Sequence, residues 1–555
     1  MDLFTRDFLD AARGIVPADA VFSGADIFNP FTCSWERGSL AVKNGRVLGT
    51  GDYTGKTEYD FSGAYIVPGL IDAHVHIESS LIRPGEYARL VAIHGTSTVI
   101  ADPHEIANVA GVEGIRFMLE ERRNLPVDIR YLLPSCVPAT PADAGGAILE
   151  AVDLAPFVSD PGILGLAEMM NVPGVLNGDS GIRDKLALSK IRDGHAPLLT
   201  GKDLNAYILA GLQSDHECTS RAEADEKLRK GMYIYIREGS TEHNIEELIQ
   251  VVTSTTVSRC CFATDDCHAD LLAEDGHIDR CIRKAITCGL APELAIRMAT
   301  LSAAERFGLT DRGALSPGRM ADFCIIDDPE TFVVKKVFRG GLALADSQPV
   351  RNANLPPTFH CTTPTAESIA VSGSGNAWVI GLVPHQILTE ALNYEVSSRE
   401  IPDLTRDILK VVVVNRYREK PCGVGLVHGF LLKKGALACS ISHDTHNIVA
   451  VGTSDDEIRR AISEVIQSQG AMAAVTRTET TVLPLDCAGL MSSLPYPEVV
   501  ERLKQMHAVT ERMGGIEDPF MYLSFLALTV IPALRITDRG LFDVLEFRDV
   551  PLFTD

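Results

Sequence analysis

The stretch "IVPGLIDAHVH", residues 66–76, is an apolar run that ends in two histidines one residue apart. Its length and its β-branched residues read as a strand. Alternate side chains of a strand share a face, so His74 and His76 point the same way. That spacing can bring two imidazole nitrogens to one metal ion. Two histidines at the start of a surface loop would give the same pattern, so the pair does not decide the matter alone.

The sequence downstream adds context. Short apolar runs follow at "TSTVIAD" (96–102), "IRYLLPS" (129–135), "ILGLAEM" (163–169), "SKIRDGH" (189–195), "QSDHE" (213–217), "MYIYIRE" (232–238) and "CCFATDD" (260–266). The fifth and sixth of the eight strands, "SKIRDGH" and "QSDHE", are short and polar and have the weakest pattern. Helical stretches such as "TGKDLNAYILAG", "SRAEADEKLRKG" and "HIDRCIRKAITCG" lie between them. Eight strand–helix units over residues 68–309 predict a TIM-like (β/α)8 barrel, a fold of about 250 residues whose functional side chains sit at the C-terminal ends of its strands. Those ends carry His74 and His76, Asp102, His104 and Glu105, Glu168, His195, His216 and Glu217, and Asp265 and Asp266. Independent placement would scatter His, Asp and Glu over helices and both barrel faces. The joint pattern is that of a metal site, with ligands that suit zinc, manganese or ferrous iron.

The flanks read differently. Residues from about Ala20 to Val67 read as short β segments, with a hairpin signal at Asn44-Gly45. "GALSPGRMADFCIIDD" (313–328) returns to β texture, so residues 1–67 and 310–350 are expected to make one small discontinuous β domain. Pro349, Pro356, Pro357 and Pro364 mark a linker. Residues 365–555, with "KVVVVNRY" and the helix "DDEIRRAISEVIQSQG", are expected to be an α+β domain.

The net charge is −23, which disfavours nucleic acid and acidic membrane surfaces as partners and admits a neutral base or a cation. The thirteen cysteines are scattered without a C-x-x-C pair, as expected of reduced thiols. Residues 1–17 lack the apolar core of a signal peptide, and no window has the ~20 apolar residues of a spanning helix. A cytoplasmic protein is expected, and a chain of this size is often a homo-oligomer.

"PGLIDAHVHIESS" with the distant "TDD" resembles the amidohydrolase superfamily. "TSTVIADPHEIANVAG", "GLAEMMNVPGV", "DGHAPLLTGKDLNAY", "SDHE", "REGS" and "GFLLKKGALACSISHDTHNIVAVGTSDDE" are similar, within it, to the bacterial adenine deaminases, and the similarity runs over nearly the whole chain. It implies hydrolytic deamination of adenine to hypoxanthine and ammonia at a binuclear divalent metal site, Mn2+ or Fe2+, with Zn2+ as a further choice. It implies His74 and His76 on the first metal, His195 and His216 on the second, Glu168 bridging, and Asp265 on the first metal and against the attacking water. Many relatives carry a carboxylated lysine on the fourth strand, and this chain has Glu168 there instead. The segment 162–181 holds no Lys or Arg that could neutralise that carboxylate, which favours a metal as its partner.

For the chemistry, a metal lowers the pKa of its water from roughly 16 to about 7. Asp265 can shuttle the proton. Negative charge that develops on the ring, chiefly at N1, needs a donor. Glu238 is expected in that role or against a base edge together with Arg237, with a mutual Glu238–Arg237 ion pair as the bland alternative. His104 and Glu105 either orient ligands and substrate or cap the following helix. His443 and His446 of "SHDTHN" either form a packed polar turn, bind metal, or belong to a segment that covers the barrel mouth. The zinc deaminase signature H-x-E with P-C-x-x-C is absent, as is a G-x-G-x-x-G after a strand. The ligand set cannot tell adenine from another purine or a cyclic amide. A non-catalytic scaffold would be expected to have lost ligands that are all present here.

Overall fold

The structure, a computed structural model, describes residues 3–345, 354–384, 386, 388–397 and 399–554. The last five positions of the expected β domain, 346–350, and with them Pro349 of the expected linker, lie outside these. Eight parallel strands succeed one another in the middle of the chain: β1 (Leu70–Val75), β2 (Thr96–Ala101), β3 (Asp128–Leu133), β4 (Ile163–Met169), β5 (Arg192–Gly194), β6 (Ser214–Asp215), β7 (Tyr233–Arg237) and β8 (Cys260–Ala263). They form two parallel arcs, β5-β4-β3-β2-β1 and β6-β7-β8. The backbone also touches across both gaps between the arcs. Gln213 N donates to Arg192 O at 3.2 Å, and Asp265 N donates to His74 O at 3.0 Å. The result is a curled, TIM-like parallel sheet.

The polar fifth and sixth stretches do form strands, and their shortness has a local cause. A Cβ on Gly194 would lie 2.4 Å from Ser214 O, so glycine lets β5 press against β6. β1, β2 and β8 are buried along their whole length, which explains their continuous apolar texture.

The run at residues 66–76 is not one strand. Tyr65–Pro68 pairs antiparallel with Phe323–Ile326 in a separate sheet, and only Leu70–Val75 belongs to β1. Pro68 has no N–H to continue a ladder, and Gly69 N bonds to Asp322 O where the chain passes between the sheets. That separate sheet has eight strands. Ala18–Asn29, Ser34–Lys43, Arg46–Thr50, Gly55–Asp60 and Tyr65–Pro68 join Phe323–Ile326, Val334–Arg339 and Leu342–Ala343. The hairpin at Asn44-Gly45 has φ of 46° and 75°, the two positive values that this dipeptide favours.

The C-terminal region builds a second eight-stranded sheet around Ile408–Val414, Ala436–Cys439 and Ile448–Gly452. Helix Asp455–Gln467 starts at Ser454, whose hydroxyl accepts from Glu457 N at 3.3 Å, and buries Ile458, Ala461, Ile462 and Val465 on one face of the sheet. The opposite face shares a continuous apolar core with the barrel, in which Val411, Leu437 and Val449 join Tyr87, Val99 and Phe117. Burying each such side chain contributes about 1.5–3 kcal/mol. The two regions are therefore packed as one body.

Candidate metal centre

Six side chains from five strand ends converge at the C-terminal end of the barrel. Glu168 stands in their middle. Its Oε1 lies 3.2 Å from His76 Nε2 and 3.8 Å from His74 Nε2, whereas its Oε2 lies 2.7 Å from His195 Nδ1 and 3.2 Å from His216 Nε2. Each carboxylate oxygen thus faces a different pair of imidazoles. Asp265 Oδ1 is 3.4 Å from His74 Nε2 and 3.2 Å from His76 Nε2. The Asp265 backbone is left-handed, with φ of 53°, which aspartate tolerates better than most residues. Hydrogen bonds to β1 on both sides hold it there, Asp265 N to His74 O and His76 N to Asp265 O.

These residues fit a divalent cation. His74 Nε2, which faces Glu168 and Asp265, is buried with no hydrogen-bond partner among the described residues. A buried polar atom left so is costly unless something else satisfies it. Potential ligand atoms of His74, His216 and Asp265 lie within 4.8 Å of one another, as do those of Glu168, His195 and His216. Burial pushes the Glu168 carboxyl up, but His216, His195 and His76 together hold it well below the usual carboxylate range, so it is present as the anion a metal requires.

A further layer fixes these groups in place. Arg237 donates from Nη1 to Asp265 Oδ2 at 2.8 Å, from Nη2 to Glu217 Oε2 at 3.0 Å, and from Nε to Asn244 Oδ1 at 3.1 Å. Arg237, expected to touch substrate, lines the cavity above the metal site and bonds there to these protein partners. Lys227 Nζ is fully buried and bridges Asp215 Oδ2 and Glu223 Oε1, each at 2.6 Å, while Asp215 Oδ1 accepts from Ala196 N at 2.9 Å. That chain ties the residue after His195 to the residue before His216.

Glu238 is placed differently from the expectation. It accepts from Lys284 Nζ at 2.8 Å, stands 2.6 Å from His243 Nδ1, and is not among the described residues that line the cavity above the metal site. It makes no pair with Arg237, whose partners are Glu217 and Asp265. The strand ends between the two side chains and sends Glu238 away from the mouth. Glu242, four residues on, does line the cavity. Its Oε1 accepts from Thr241 Oγ1 at 2.6 Å and its Oε2 has no partner among the described residues. Burial pushes the Glu242 carboxyl up to about 7.

His104 lines the same cavity. Its Nδ1 is 3.0 Å from Asp102 Oδ2 and 3.5 Å from Glu168 Oε1, so it faces the ligand cluster. Glu105 is gripped from the C-terminal domain, with one oxygen bonded to His443 Nδ1 and the other to His446 Nε2. The polar turn of "SHDTHN" therefore packs into the barrel mouth. His443, Asp444, Phe525, Leu528, Val530 and Ile531 line the cavity above the metal site from the C-terminal domain. Nothing in the sequence singles out Glu242, Lys227 or the apolar wall 525–531 in advance, since none belongs to a spaced motif.

Comparison with known proteins agrees with this geometry. Residues 65–344 match the amidohydrolase family, and residues 386–548 match the adenine deaminase C-terminal domain. The chain is 62% identical over 549 residues to an adenine deaminase of Methanoregula boonei, covering 99% of this chain and 98% of that one. It is 60% identical over 516 residues to an adenine deaminase of Methanoculleus marisnigri, covering 93% and 100%. It is 43% identical over 564 residues to adenine deaminase 2 of Carboxydothermus hydrogenoformans, covering 99% of each.

Proposed function

Because the chain belongs to the amidohydrolase family, and within it to the adenine deaminases, we infer that it is a metal-dependent hydrolase that deaminates adenine to hypoxanthine and ammonia. The observation that carries the site assignment is the division of Glu168 between two histidine pairs. We assign His74, His76 and Asp265 to one divalent metal, His195 and His216 to a second, and Glu168 between them. The mixed imidazole and carboxylate donors suit manganese, ferrous iron and zinc alike, and metal analysis of the purified protein decides among them. We read the two parallel arcs as one (β/α)8 barrel, since backbone contacts span both gaps. The chain divides at 1–67 with 310–350, 68–309 and 365–555, a division supported by the pairing of Tyr65–Pro68 with Phe323–Ile326. The thirteen cysteines, all free, support a reducing compartment such as the cytoplasm.

The divalent metals, when bound, lower the pKa of water enough to supply a nucleophile near neutral pH. The protein's own groups do the rest. Arg237 occupies Asp265 Oδ2, which leaves Oδ1 to take the proton of the attacking water and pass it to the departing amino group. Attack at C6 drives electron density to N1. Glu242 lines the cavity, is buried with one unpartnered oxygen, and has a carboxyl pushed up to about 7, so that near neutral pH part of it carries a proton to offer that atom. Glu242 replaces Glu238 in this role. Phe525, Leu528, Val530 and Ile531 exclude water from the face of the ring.

The test is incubation of metal-loaded enzyme with adenine, adenosine, guanine and dihydroorotate, with ammonia measured. Ammonia from adenine alone is expected, and none from adenine refutes the reading. Another purine or a cyclic amide as substrate remains the alternative that this experiment addresses.

A further inference from the structure

Asp444 is contributed by the C-terminal domain and lies in the cavity wall, 4% exposed. Its Oδ2 is buried and makes no hydrogen bond among the described residues. A buried carboxylate oxygen without a donor costs free energy, and a ligand that brings a donor recovers it. The side chain is also held in place. The residue before it, His443, and the residue two after it, His446, are both bonded to Glu105. Asp444 therefore has a fixed position relative to the barrel.

That position relates simply to the metal site. The His104 ring stands between the two, with Nδ1 3.5 Å from Glu168 Oε1 and Nε2 3.7 Å from Asp444 Oδ1. Asp444 thus stands on the same cavity wall as the cluster, separated from it by the His104 ring and a gap of 3.5 Å on one side and 3.7 Å on the other. A purine whose C6 faces that cluster turns its five-membered ring the other way. In the free base that ring carries an N–H, at N9 or, in the other tautomer, at N7. In a nucleoside or nucleotide the N9 hydrogen is replaced by sugar.

We propose that Asp444 Oδ2 accepts the imidazole-ring N–H of the bound base and is the group by which the enzyme selects free adenine over N9-substituted adenines. The proposal rests on the adenine deaminase reading and deepens it. A site built to receive an N–H rejects an analogue that lacks it by as much as roughly 10⁴-fold, because the buried acceptor then stays unpaired. The charge of the cavity acts in the same direction. Among the described lining residues seven are carboxylates and one, Arg237, is an arginine already paired with two of them, so a nucleotide phosphate finds no free guanidinium.

The test uses the full-length, metal-loaded enzyme with adenine and 9-methyladenine, which lacks the N–H but adds only a methyl group. Wild-type enzyme is expected to turn over or bind 9-methyladenine far more weakly than adenine. Asp444→Ala is expected to lower kcat/KM for adenine roughly 10- to 100-fold, mainly through KM, and to leave that for 9-methyladenine unchanged, so that discrimination collapses. Unchanged discrimination in an Asp444→Ala protein of normal metal content overturns the proposal. Should that variant not fold, the wild-type measurement still decides, since equal kcat/KM for both compounds overturns it as well. Absence of ammonia from adenine with wild-type enzyme would instead strike the underlying functional reading.

Discussion

Glu105 and His443 are hydrogen-bonded across the boundary between the barrel and the C-terminal domain, although 338 positions separate them in the chain. His446 takes the other oxygen of the same carboxylate. Against the opposing cost of burial, Glu105 pushes the His443 imidazole up to about 9, so the pair is ionic at neutral pH. Replacing Glu105 by Gln leaves a buried cation uncompensated. The expected cost is about 3–5 kcal/mol in denaturant unfolding. The double variant with His443→Ala should cost less than the sum of the single changes, as coupled neighbours do.

Glu168→Gln keeps the shape of the side chain and removes its charge. Metal content measured by mass spectrometry should fall below two ions per chain, and adenine turnover should fall by roughly 100-fold or more. A chelator should abolish turnover in the wild type, with recovery on return of manganese, iron or zinc.

Glu242 gives the reaction a pH signature. Its carboxyl, pushed up to about 7 by burial, donates only when protonated. Activity that depends on it is present below about 7 and declines as pH rises through that value. Glu242→Gln should lower kcat/KM by roughly 100-fold and abolish this alkaline limb in the pH profile. Glu238→Gln should leave both nearly unchanged, because its Oε1 is bonded to His243 and Lys284 and the residue is not among the described residues that line the cavity.

Lys227→Met leaves Asp215 and Glu223 buried without their cation. Unfolding free energy should drop by about 3–5 kcal/mol. Burial opposes the charge of Asp215, but Lys227 and His216 hold its carboxyl at about 2, against an ordinary 3.8. The contribution of Asp215 is therefore complete above pH 3.8 and is lost as pH falls through about 2. Acid titration of wild type and variant, followed by circular dichroism, checks the difference.

How far the sequence foretold this arrangement depended on where each residue's partners lie. His74, His76, Glu168, His195, His216 and Asp265 were legible because each sits at or just past a strand end, and a parallel barrel brings strand ends together whatever lies between them. Even β5 and β6, nearly invisible by hydrophobicity, were marked by the histidines that follow them. Glu242 was not legible, since it lies in a loop whose direction depends on a local turn after β7 rather than on strand periodicity. For the same reason the position of Glu238 was open: one residue beyond a strand, alternation no longer dictates where a side chain points. Asp444 and the wall at 525–531 were beyond reach because they meet the barrel only through packing between domains, for which no spacing rule exists.

The cavity that holds all of this draws on residues from His76 to Ile531, from just past the first barrel strand to deep in the C-terminal domain. A nascent chain leaving the ribosome thus acquires its metal ligands well before the residues that enclose a base. Prematurely terminated products would sequester metal while lacking a finished pocket, and a proteolytic cut between the domains would silence the enzyme without removing a single ligand.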